Sequence, residues 1–410
     1  EVLRQVGVRM DVNEFGGLSV KGFKAAGISA GIKKNGKKDF ALIVSETPCA
    51  VAGVFTKNSV KAAPVIIDME RVKKGSSRGV VINSGNANAC TGKRGHKDAL
   101  DILTAVEKEL SLEKGDILIS STGVIGEFLP KKKMLAAVQT LVKSLDVRGW
   151  VSATEAIRTT DTEAYLKTVF GTKNIGGGGV SILGIAKGAG MICPDMATML
   201  SFFATDANIK AATLKKALKE AVGLSFNRIS VDNDASTNDT VLVFANKMSK
   251  GREITYATKD YRAFTRLLAE LSLKLAKMIV RDGEGATKLI EIRIKGARSD
   301  KDAEKAARKI ASSPLVKTAF FGGDPNWGRI VCAAGCSGAR MAPDKVDVVL
   351  SGVRVVKNGS PTGSEDEAAR RLKEKDILLA IDFKLGKGTY AFWTSDLTHD
   401  YVRINSAYRS

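Results

Sequence analysis

Residues 187–205 read KGAGMICPDMATMLSFFAT, which is a loop of small residues followed by an apolar run. Small residues in the first half allow backbones to approach each other closely, and Pro194 restricts the chain that follows. Leu200–Thr205 has the apolar, aromatic character of a buried strand. The stretch therefore predicts a tight loop that ends with Ala197 and Thr198 just before a strand.

Outward from this stretch, short apolar runs and amphipathic segments alternate without a regular βα repeat. This pattern predicts an α/β fold of layers with mixed sheets, and neither a Rossmann fold nor a barrel. No strand is followed by G-x-G-x-x-G and a helix, and no P-loop occurs, whereas the four glycines at 176–179 indicate a hairpin turn. The predicted strands are 40–45, 51–56, 63–67, 79–82, 117–121, 180–185, 200–205, 241–245, 289–294, 346–350 and 377–384, and the predicted helices are 96–110, 132–145, 211–222, 261–279 and 303–312.

The 410-residue chain is basic, with 64 Lys and Arg against 44 Asp and Glu and a net charge of +20. Such a balance favours nucleic acid, a membrane surface or anionic small substrates as partners. The densest basic runs, at 33–38 and 131–133, are not interleaved with the aromatic residues that a nucleic-acid platform needs. We therefore expect solvated basic faces and no nucleic-acid partner.

No apolar run reaches the length of a membrane span, and no secretory signal is visible. The sequence thus predicts no membrane partner. Its five cysteines, odd in number and irregularly spaced, predict a reducing compartment and small buried side chains rather than disulfides. Cytoplasm is the expected location, and an organelle with a removed transit peptide stays open because the chain begins at Glu1.

Histidine is scarce, since only His96 and His399 occur. Histidine is the commonest general base and metal ligand, so a histidine-rich metal site is excluded and no metal is predicted. A threonine nucleophile offers chemistry without imidazole, because a free α-amino group on the same residue can act as its base. Taken alone, Thr198 is nevertheless more typical of an ordinary strand residue.

The whole chain resembles the ornithine acetyltransferase family, also called bifunctional arginine biosynthesis proteins. Long motifs in the family's order carry the resemblance. They are KGFKAAG at 21–27, NSGNANA at 83–89, STGVIG at 121–126, TTDT at 159–162, the block at 187–200, DNDASTNDT at 232–240, DGEGAT at 282–287, DPNWGR at 324–329 and NSAYRS at 405–410.

The resemblance implies a self-cleaving enzyme that is cut between Ala197 and Thr198. Its products would be an α chain, 1–197, and a β chain, 198–410, paired in an α2β2 heterotetramer. Thr198 would take acetyl from N2-acetyl-L-ornithine and pass it to L-glutamate. No cofactor is implied, and acetyl-CoA stays open as a second acetyl donor.

The resemblance also implies the residues of the site. Thr122 and Gly123 would form an oxyanion hole. Substrate contacts would come from Thr160, Lys187, Thr198, Glu284, Asn405 and Ser410, although Thr159 could replace Thr160. The chain departs from the commonest family pattern at Ala189, Cys193, Asp195 and Arg409, where the family has Ser, His, Asn and Thr. Of these, Asp195 could alter the cleavage rate, and Arg409 puts the C-terminal contact in doubt.

Two other functions remain open from sequence. The first is an amidohydrolase or aminopeptidase with the same N-terminal threonine, in which water resolves the acyl-enzyme. The second is a basic nucleic-acid-binding protein. The expected contacts of Lys187 and the C-terminus with acidic substrates disfavour the first, and the scattered charge disfavours the second.

Overall fold

A computed structural model describes residues 18–162, 166–193 and 199–407 of the chain. Five residues that the sequence analysis singled out lie outside the described residues. They are Asp195, Ala197, Thr198, Arg409 and Ser410.

The described residues form two mixed sheets with helices packed on them. The strands are β1 Phe23–Ile28, β2 Phe40–Phe55, β3 Ser76–Asn86, β4 Ile117–Val124, β5 Thr168–Ile175, β6 Gly178–Lys187, β7 Leu200–Thr205, β8 Ile229–Ser230, β9 Thr240–Ala245, β10 Leu289–Ala297, β11 Asp347–Leu350, β12 Val353–Lys357, β13 Ser360–Pro361, β14 Asp376–Asp382 and β15 Gly388–Ser395. The helices are α1 Ala63–Arg71, α2 Gly92–Glu109, α3 Lys131–Lys143, α4 Trp150–Ile157, α5 Ala211–Gly223, α6 Lys259–Arg281, α7 Asp300–Ala311, α8 Pro314–Gly322, α9 Trp327–Gly335, α10 Glu365–Arg371 and α11 His399–Ser406.

The first sheet has the strand order β4-β3-β2-β9-β7-β6-β5, with β1 paired to β2. The long strand β2 connects the two parts of this sheet. The first half of β2 pairs with β1 and β3, and its second half pairs with β9. The pairs β3–β4 and β7–β9 are parallel, and the other pairs are antiparallel. The register sets Leu200 beside both Lys187 and Thr240. The end of β6 and the beginnings of β7 and β9 therefore lie together.

The second sheet has the order β13-β12-β11-β14-β10-β15-β8 and is also mixed. Its apolar face packs on α7, α8 and α9. The prediction of mixed α/β layers is therefore confirmed.

Both faces of the first sheet are buried. Residues of α5 and α6 cover one face, those of α4 cover the other, and α2 and α3 cover the end near β1 and β4. The 23-residue helix α6 is capped at its N-terminus by Thr258, whose hydroxyl accepts a hydrogen bond from the Tyr261 N–H. Its apolar stripe also meets Leu289 and Trp393 of the second sheet. Burial of each large apolar side chain contributes about 1.5–3 kcal/mol, so α6 joins the two layers strongly.

The predicted elements match in type with one exception. Residues 63–67 were predicted as a strand, and this is wrong: they begin α1. Pro64 occupies the first turn of that helix, where its missing N–H costs nothing, while Val65 and Ile67 are buried beneath it. The predicted strands at 40–45 and 51–56 form the single strand β2, and the glycines Gly176 and Gly177 make the hairpin turn between β5 and β6 as predicted.

Candidate active site

A cavity of about 220 Å³ opens where the ends of β4 and β6 meet the segment after α6 and the C-terminal helix α11. Its lining comes from segments far apart in sequence, all of them within the quoted motifs. These residues are Ala87, Thr122, Gly123, Val124, Ile125, Thr159, Thr160, Lys187, Gly190, Met191, Ser236, Thr237, Asn238, Glu284 and Asn405.

Thr122 and Gly123 lie at the end of β4. Gly123 has a φ of 133°, and a Cβ there would lie 2.3 Å from the carbonyl carbon of Gly85 on the neighbouring strand. Only glycine fits this close approach of two backbones. The Asn238 amide donates to the carbonyls of Ser121, at 2.8 Å, and Ala87, at 2.7 Å. These bonds hold the strand end that presents the Thr122 hydroxyl and the Gly123 N–H.

Lys187 ends β6 and is almost completely buried. Its ammonium donates to Thr122 Oγ1 at 3.3 Å. Because the hydroxyl oxygen accepts this bond, the hydroxyl hydrogen remains available for another acceptor. Burial lowers the pKa of Lys187 below its ordinary value, while the nearby carboxylate of Asp161 works in the opposite direction.

A buried ionic cluster supports this end of the site. Lys167 is bound between the carboxylates of Asp161, at 2.6 Å, and Asp282, and all three side chains are fully buried. Asp161 also accepts from Gly188 N at 2.8 Å, directly after Lys187. Burial would raise the pKa of Asp161, but the ammonium groups of Lys167 and Lys187 outweigh it and hold the pKa below its ordinary range. The cluster therefore fixes the loop beside Lys187 with charge-assisted bonds.

Glu284 brings a carboxylate to the lining of the cavity. Its backbone N–H donates to the Ala189 carbonyl at 2.9 Å, and its Oε2 accepts from the Asn405 amide at 2.8 Å. A Cβ on Gly190 would lie 2.3 Å from this oxygen, so glycine makes room for the carboxylate. Helix α11 thus folds back onto the site, as the predicted role of Asn405 requires.

Thr159 and Thr160 both line the cavity. The N–H of Thr159 donates to Asp161 at 3.0 Å, which ties the pair to the ionic cluster. Which of the two contacts substrate stays a prediction.

Met199 is the described residue that follows Thr198. Its N–H donates to Asp239 Oδ1 at 3.1 Å, and its carbonyl accepts from Thr240 N at 3.1 Å. Met199 is therefore held against the 236–240 segment that supplies one wall of the cavity.

The described residues predicted for the site all lie together in this cavity: Thr122, Gly123, Thr160, Lys187, Glu284 and Asn405. Their chemical roles stay predictions, as do those of Thr198 and Ser410. The sequence alone indicates no role for five further residues: Asp161, Lys167, Asn238, Asp239 and Asp282. Four of the five lie in the quoted motifs, which could have flagged them, but their roles depend on burial and on contacts between distant segments.

Histidine does not line the cavity. His96 lies within α2, and the ring of His399 meets that of Phe321 in an edge-to-face contact with centroids 5.6 Å apart. The prediction that every cysteine is buried is wrong: Cys49 is buried, but Cys90, Cys332 and Cys336 are exposed because they lie at loops and on an outer helix face. Cys193 is half-buried.

Among residues 18–162, 166–193 and 199–407, no group of three or more His, Cys, Asp or Glu side chains is arranged to hold a metal ion. In the same ranges, none of the helices combines the length and apolar character needed to cross a bilayer.

Comparisons with known proteins agree with the motifs. The ArgJ family model matches residues 24–410. The arginine biosynthesis bifunctional protein ArgJ of Caldanaerobacter subterraneus subsp. tengcongensis is 48% identical over 395 residues, covering 95% of this chain and 97% of that protein. Its namesake from Geobacter sulfurreducens is 47% identical, covering 96% and 100%. A crystal structure of the Bacillus halodurans protein of this name has 44% sequence identity to this chain and a TM-score of 0.48. The match covers 49% of this chain and 95% of the chain in that structure.

The family model spans nearly the whole chain, and relatives share almost half of its residues from end to end. The resemblance inferred from the motifs is thereby confirmed: the chain belongs to the ArgJ family of arginine biosynthesis enzymes.

Proposed function

We propose that the chain is a glutamate N-acetyltransferase that moves acetyl from N2-acetyl-L-ornithine to L-glutamate through an acetyl group on Thr198. We also propose that the chain first cuts itself between Ala197 and Thr198. Family membership supports the acyltransferase chemistry. The observation that carries the proposal is a single cavity that holds the Thr122–Gly123 pair with Lys187 and Glu284.

The charges in the cavity suit amino-acid substrates. Lys187 can pair with the α-carboxylate that acetylornithine and glutamate share, since a lysine ammonium acts as a point charge. Glu284 can pair with the side-chain ammonium of ornithine. Both groups are nearly buried, so the pairs would form in surroundings poor in water, where charge interactions are strong.

In the first step, the Thr198 hydroxyl attacks the acetyl carbonyl and gives its proton to its own α-amino group. The Gly123 N–H and the Thr122 hydroxyl stabilise the oxyanion, and the Lys187 bond to Thr122 Oγ1 directs the hydroxyl hydrogen outward. The C–N bond then breaks, and the ammonium passes its proton to the leaving ornithine nitrogen. Acetyl-Thr198 remains.

In the second step, the amine of glutamate attacks acetyl-Thr198. The same donors stabilise the second oxyanion, and the proton lost by the glutamate nitrogen returns through the α-amine to Thr198 Oγ. N-acetylglutamate leaves, and the enzyme is regenerated without a cofactor. Acetyl-CoA could load Thr198 in the same way, which would give a second activity.

The proposal also covers the assembly of the two chains and the cellular location of the enzyme. The α chain, 1–197, and the β chain, 198–410, would pair as an α2β2 heterotetramer. We place the reaction in the cytoplasm because the relatives are bacterial biosynthetic proteins.

Incubation of the protein with N2-acetylornithine, with and without glutamate, tests the proposal. We expect ornithine and N-acetylglutamate in equal amounts only when glutamate is present, with ping-pong kinetics. Thr198→Ala should give an uncut chain without transfer. A parallel reaction with acetyl-CoA in place of acetylornithine tests the second donor.

Two outcomes would contradict the proposal. Acetate released at the same rate without glutamate would make the protein an amidohydrolase, in which water resolves the acyl-enzyme. Full transfer by a preparation that denaturing mass spectrometry shows to be uncut would rule out the freed threonine amine as the base.

A further inference from the structure

Asp161 joins three segments of the chain beside the cavity. Its side chain is fully buried, and both of its oxygens accept hydrogen bonds from protein donors. Oδ1 accepts from the Lys167 ammonium at 2.6 Å and from Gly188 N at 2.8 Å, and Oδ2 accepts from Thr159 N at 3.0 Å. One carboxylate therefore fixes a threonine of the cavity wall against the loop that directly follows Lys187.

Charged side chains from four parts of the fold surround the buried ammonium of Lys187. They are Lys33 after β1, Asp161 and Lys167 before β5, Asp239 before β9 and Glu284 after α6. Burial lowers the pKa of Lys187, and among these groups the carboxylate of Asp161 does most to raise it. The like charge of Lys167 works with burial and against Asp161. Asp161 is therefore the main counter-ion that keeps Lys187 protonated.

Asp161 is itself charged near neutral pH. Although burial raises its pKa, the ammonium groups of Lys167 and Lys187 hold that pKa below its ordinary range. In the proposed reaction, the cavity receives the α-carboxylate of one amino acid, releases it and receives another, so Lys187 must keep its charge while no substrate is bound. A buried lysine without a counter-ion tends to lose its proton. The carboxylate of Asp161 supplies the required negative charge from within the protein.

We propose that Asp161 is a positioning residue, which keeps Lys187 charged and fixes the loop that follows it, so that Lys187 can bind the α-carboxylate of each substrate. Asp161 acts through Lys187 rather than on the substrate, because its own oxygens are occupied by protein donors. The role rests on the function proposed above, in which acetylornithine and glutamate share that carboxylate.

The alkaline limb of the pH profile of kcat/KM for acetylornithine tests the proposal. As pH rises, Lys187 loses its proton and kcat/KM falls, because this parameter reports the ionisation of the free enzyme. Asp161→Asn keeps the shape of the side chain but removes its charge, so the limb should move to lower pH by about one unit or more. Displacement of the loop should also lower kcat/KM about tenfold at pH values below the limb.

Asp282→Asn is the matched control. Asp282 binds the same Lys167 ammonium as Asp161, but it also accepts from Thr162, whereas Asp161 accepts from the loop after Lys187. Either substitution removes one of the two carboxylates from Lys167, so both variants should lose similar stability in urea denaturation. The alkaline limb should move in Asp161→Asn alone. Equal movement in both variants, or no movement in Asp161→Asn, would overturn the proposal.

Lys167→Gln covers the case in which Asp161→Asn does not fold. The glutamine amide keeps N–H donors for the carboxylates of Asp161 and Asp282 but removes the charge that opposes the protonation of Lys187. The alkaline limb should therefore move to higher pH, opposite to its movement in Asp161→Asn. A limb that stays in place or moves to lower pH in this variant would show that the charges of the cluster do not govern Lys187, which contradicts the proposal.

A Lys187→Arg background separates the effect of charge from the effect of position. Arginine stays charged in this pH range, so the addition of Asp161→Asn should lower kcat/KM without moving a limb, and a displacement that persists would contradict the proposal. Ornithine release is the quantity measured, and it occurs whether glutamate or water accepts the acetyl group. Formation of N-acetylglutamate tests the proposed function separately. If the parent shows the limb and Asp161→Asn leaves it in place, the role of Asp161 fails while the proposed function stands.

Discussion

In the proposed mechanism, Lys187 connects substrate binding with oxyanion stabilisation. It is nearly buried, lines the cavity and donates to the Thr122 hydroxyl. A change in its charge should therefore affect both the affinity for a substrate carboxylate and the orientation of that hydroxyl. A buried lysine loses its charge at a lower pH than an exposed lysine. Both effects of Lys187 should therefore depend on pH.

The lowered pKa of Lys187 predicts that substrate binding weakens at a lower pH than an ordinary lysine would allow. As pH rises through this pKa the lysine loses its charge, at a lower pH than the ordinary value near 10.5. We expect the KM for acetylornithine to rise across this range, as measured by initial rates. In Lys187→Arg the charge persists, since arginine does not deprotonate in this range, so KM should be independent of pH. A KM that rises equally in both proteins would contradict the assignment.

At the scale of single residues, the motifs locate the residues that line the cavity but not the buried carboxylates that hold the surrounding segments in place. Thr122, Glu284 and Asn405 could be predicted because each lies in a motif that the family resemblance marks. Asp161 and Asp239 could not, because a carboxylate within a motif could equally be an exposed turn residue. Their importance depends on burial and on partners far away in sequence.

At the scale of elements, local patterns predicted type better than extent. Short apolar runs located the core strands, but 40–45 and 51–56 belong to one strand, which pairs with different neighbours along its length. The error at 63–67 has a local cause, since a Val- and Ile-rich run resembles a strand unless Pro64 is interpreted as a helix start. The family resemblance predicted that Asn405 reaches the site, but the sequence did not predict the helix α11 that carries it there and docks through the bond between Asn405 and Glu284.

The end of α6 is fixed to the segment before β5 by the ionic cluster, and this junction should matter for stability. Asp282→Asn removes one of the two carboxylates that bind the buried ammonium of Lys167. Lys167 keeps Asp161 as a partner but loses a buried charge-assisted bond, so we expect a loss of about 1.5–3 kcal/mol in the free energy of unfolding. Urea denaturation followed by circular dichroism measures it.

Asp376→Asn provides the comparison for this loss. Asp376 pairs with Arg281, the last residue of the same helix, at 2.5 Å, but both side chains are largely exposed. Exposed pairs contribute about 0–1 kcal/mol, so this substitution should change stability little. Equal losses in the two variants would show that burial does not govern the cluster.

At the scale of the whole molecule, the proposed cleavage point divides one continuous sheet. Strand β9, which follows residue 198, pairs with β2, which precedes it, and β7 pairs with β6 in the same way. Strands β9 and β7 of the second fragment therefore lie side by side between β2 and β6 of the first fragment. The cluster of Lys167 and Asp282 adds a buried tie across the same division.

This arrangement predicts that a cut chain stays together. Fragments 1–197 and 198–410 should elute as one species from size-exclusion chromatography in native buffer and run as two bands on a denaturing gel. Their separation should need denaturant, because it breaks two strand pairings and exposes the core beneath them. Fragments that part in native buffer would contradict the shared sheet.

The sharing of one sheet by the two fragments also affects how long a cut enzyme would stay active. An intact chain that unfolds carries all its strands with it, so its refolding is a reaction within one molecule. Once the chain is cut, unfolding releases two partners that must find each other again, at a rate set by their concentration. Unpaired strand edges of each fragment are then free to aggregate before they meet. The working lifetime of the mature enzyme would therefore depend on how slowly the sheet first opens, rather than on the equilibrium between folded and unfolded forms.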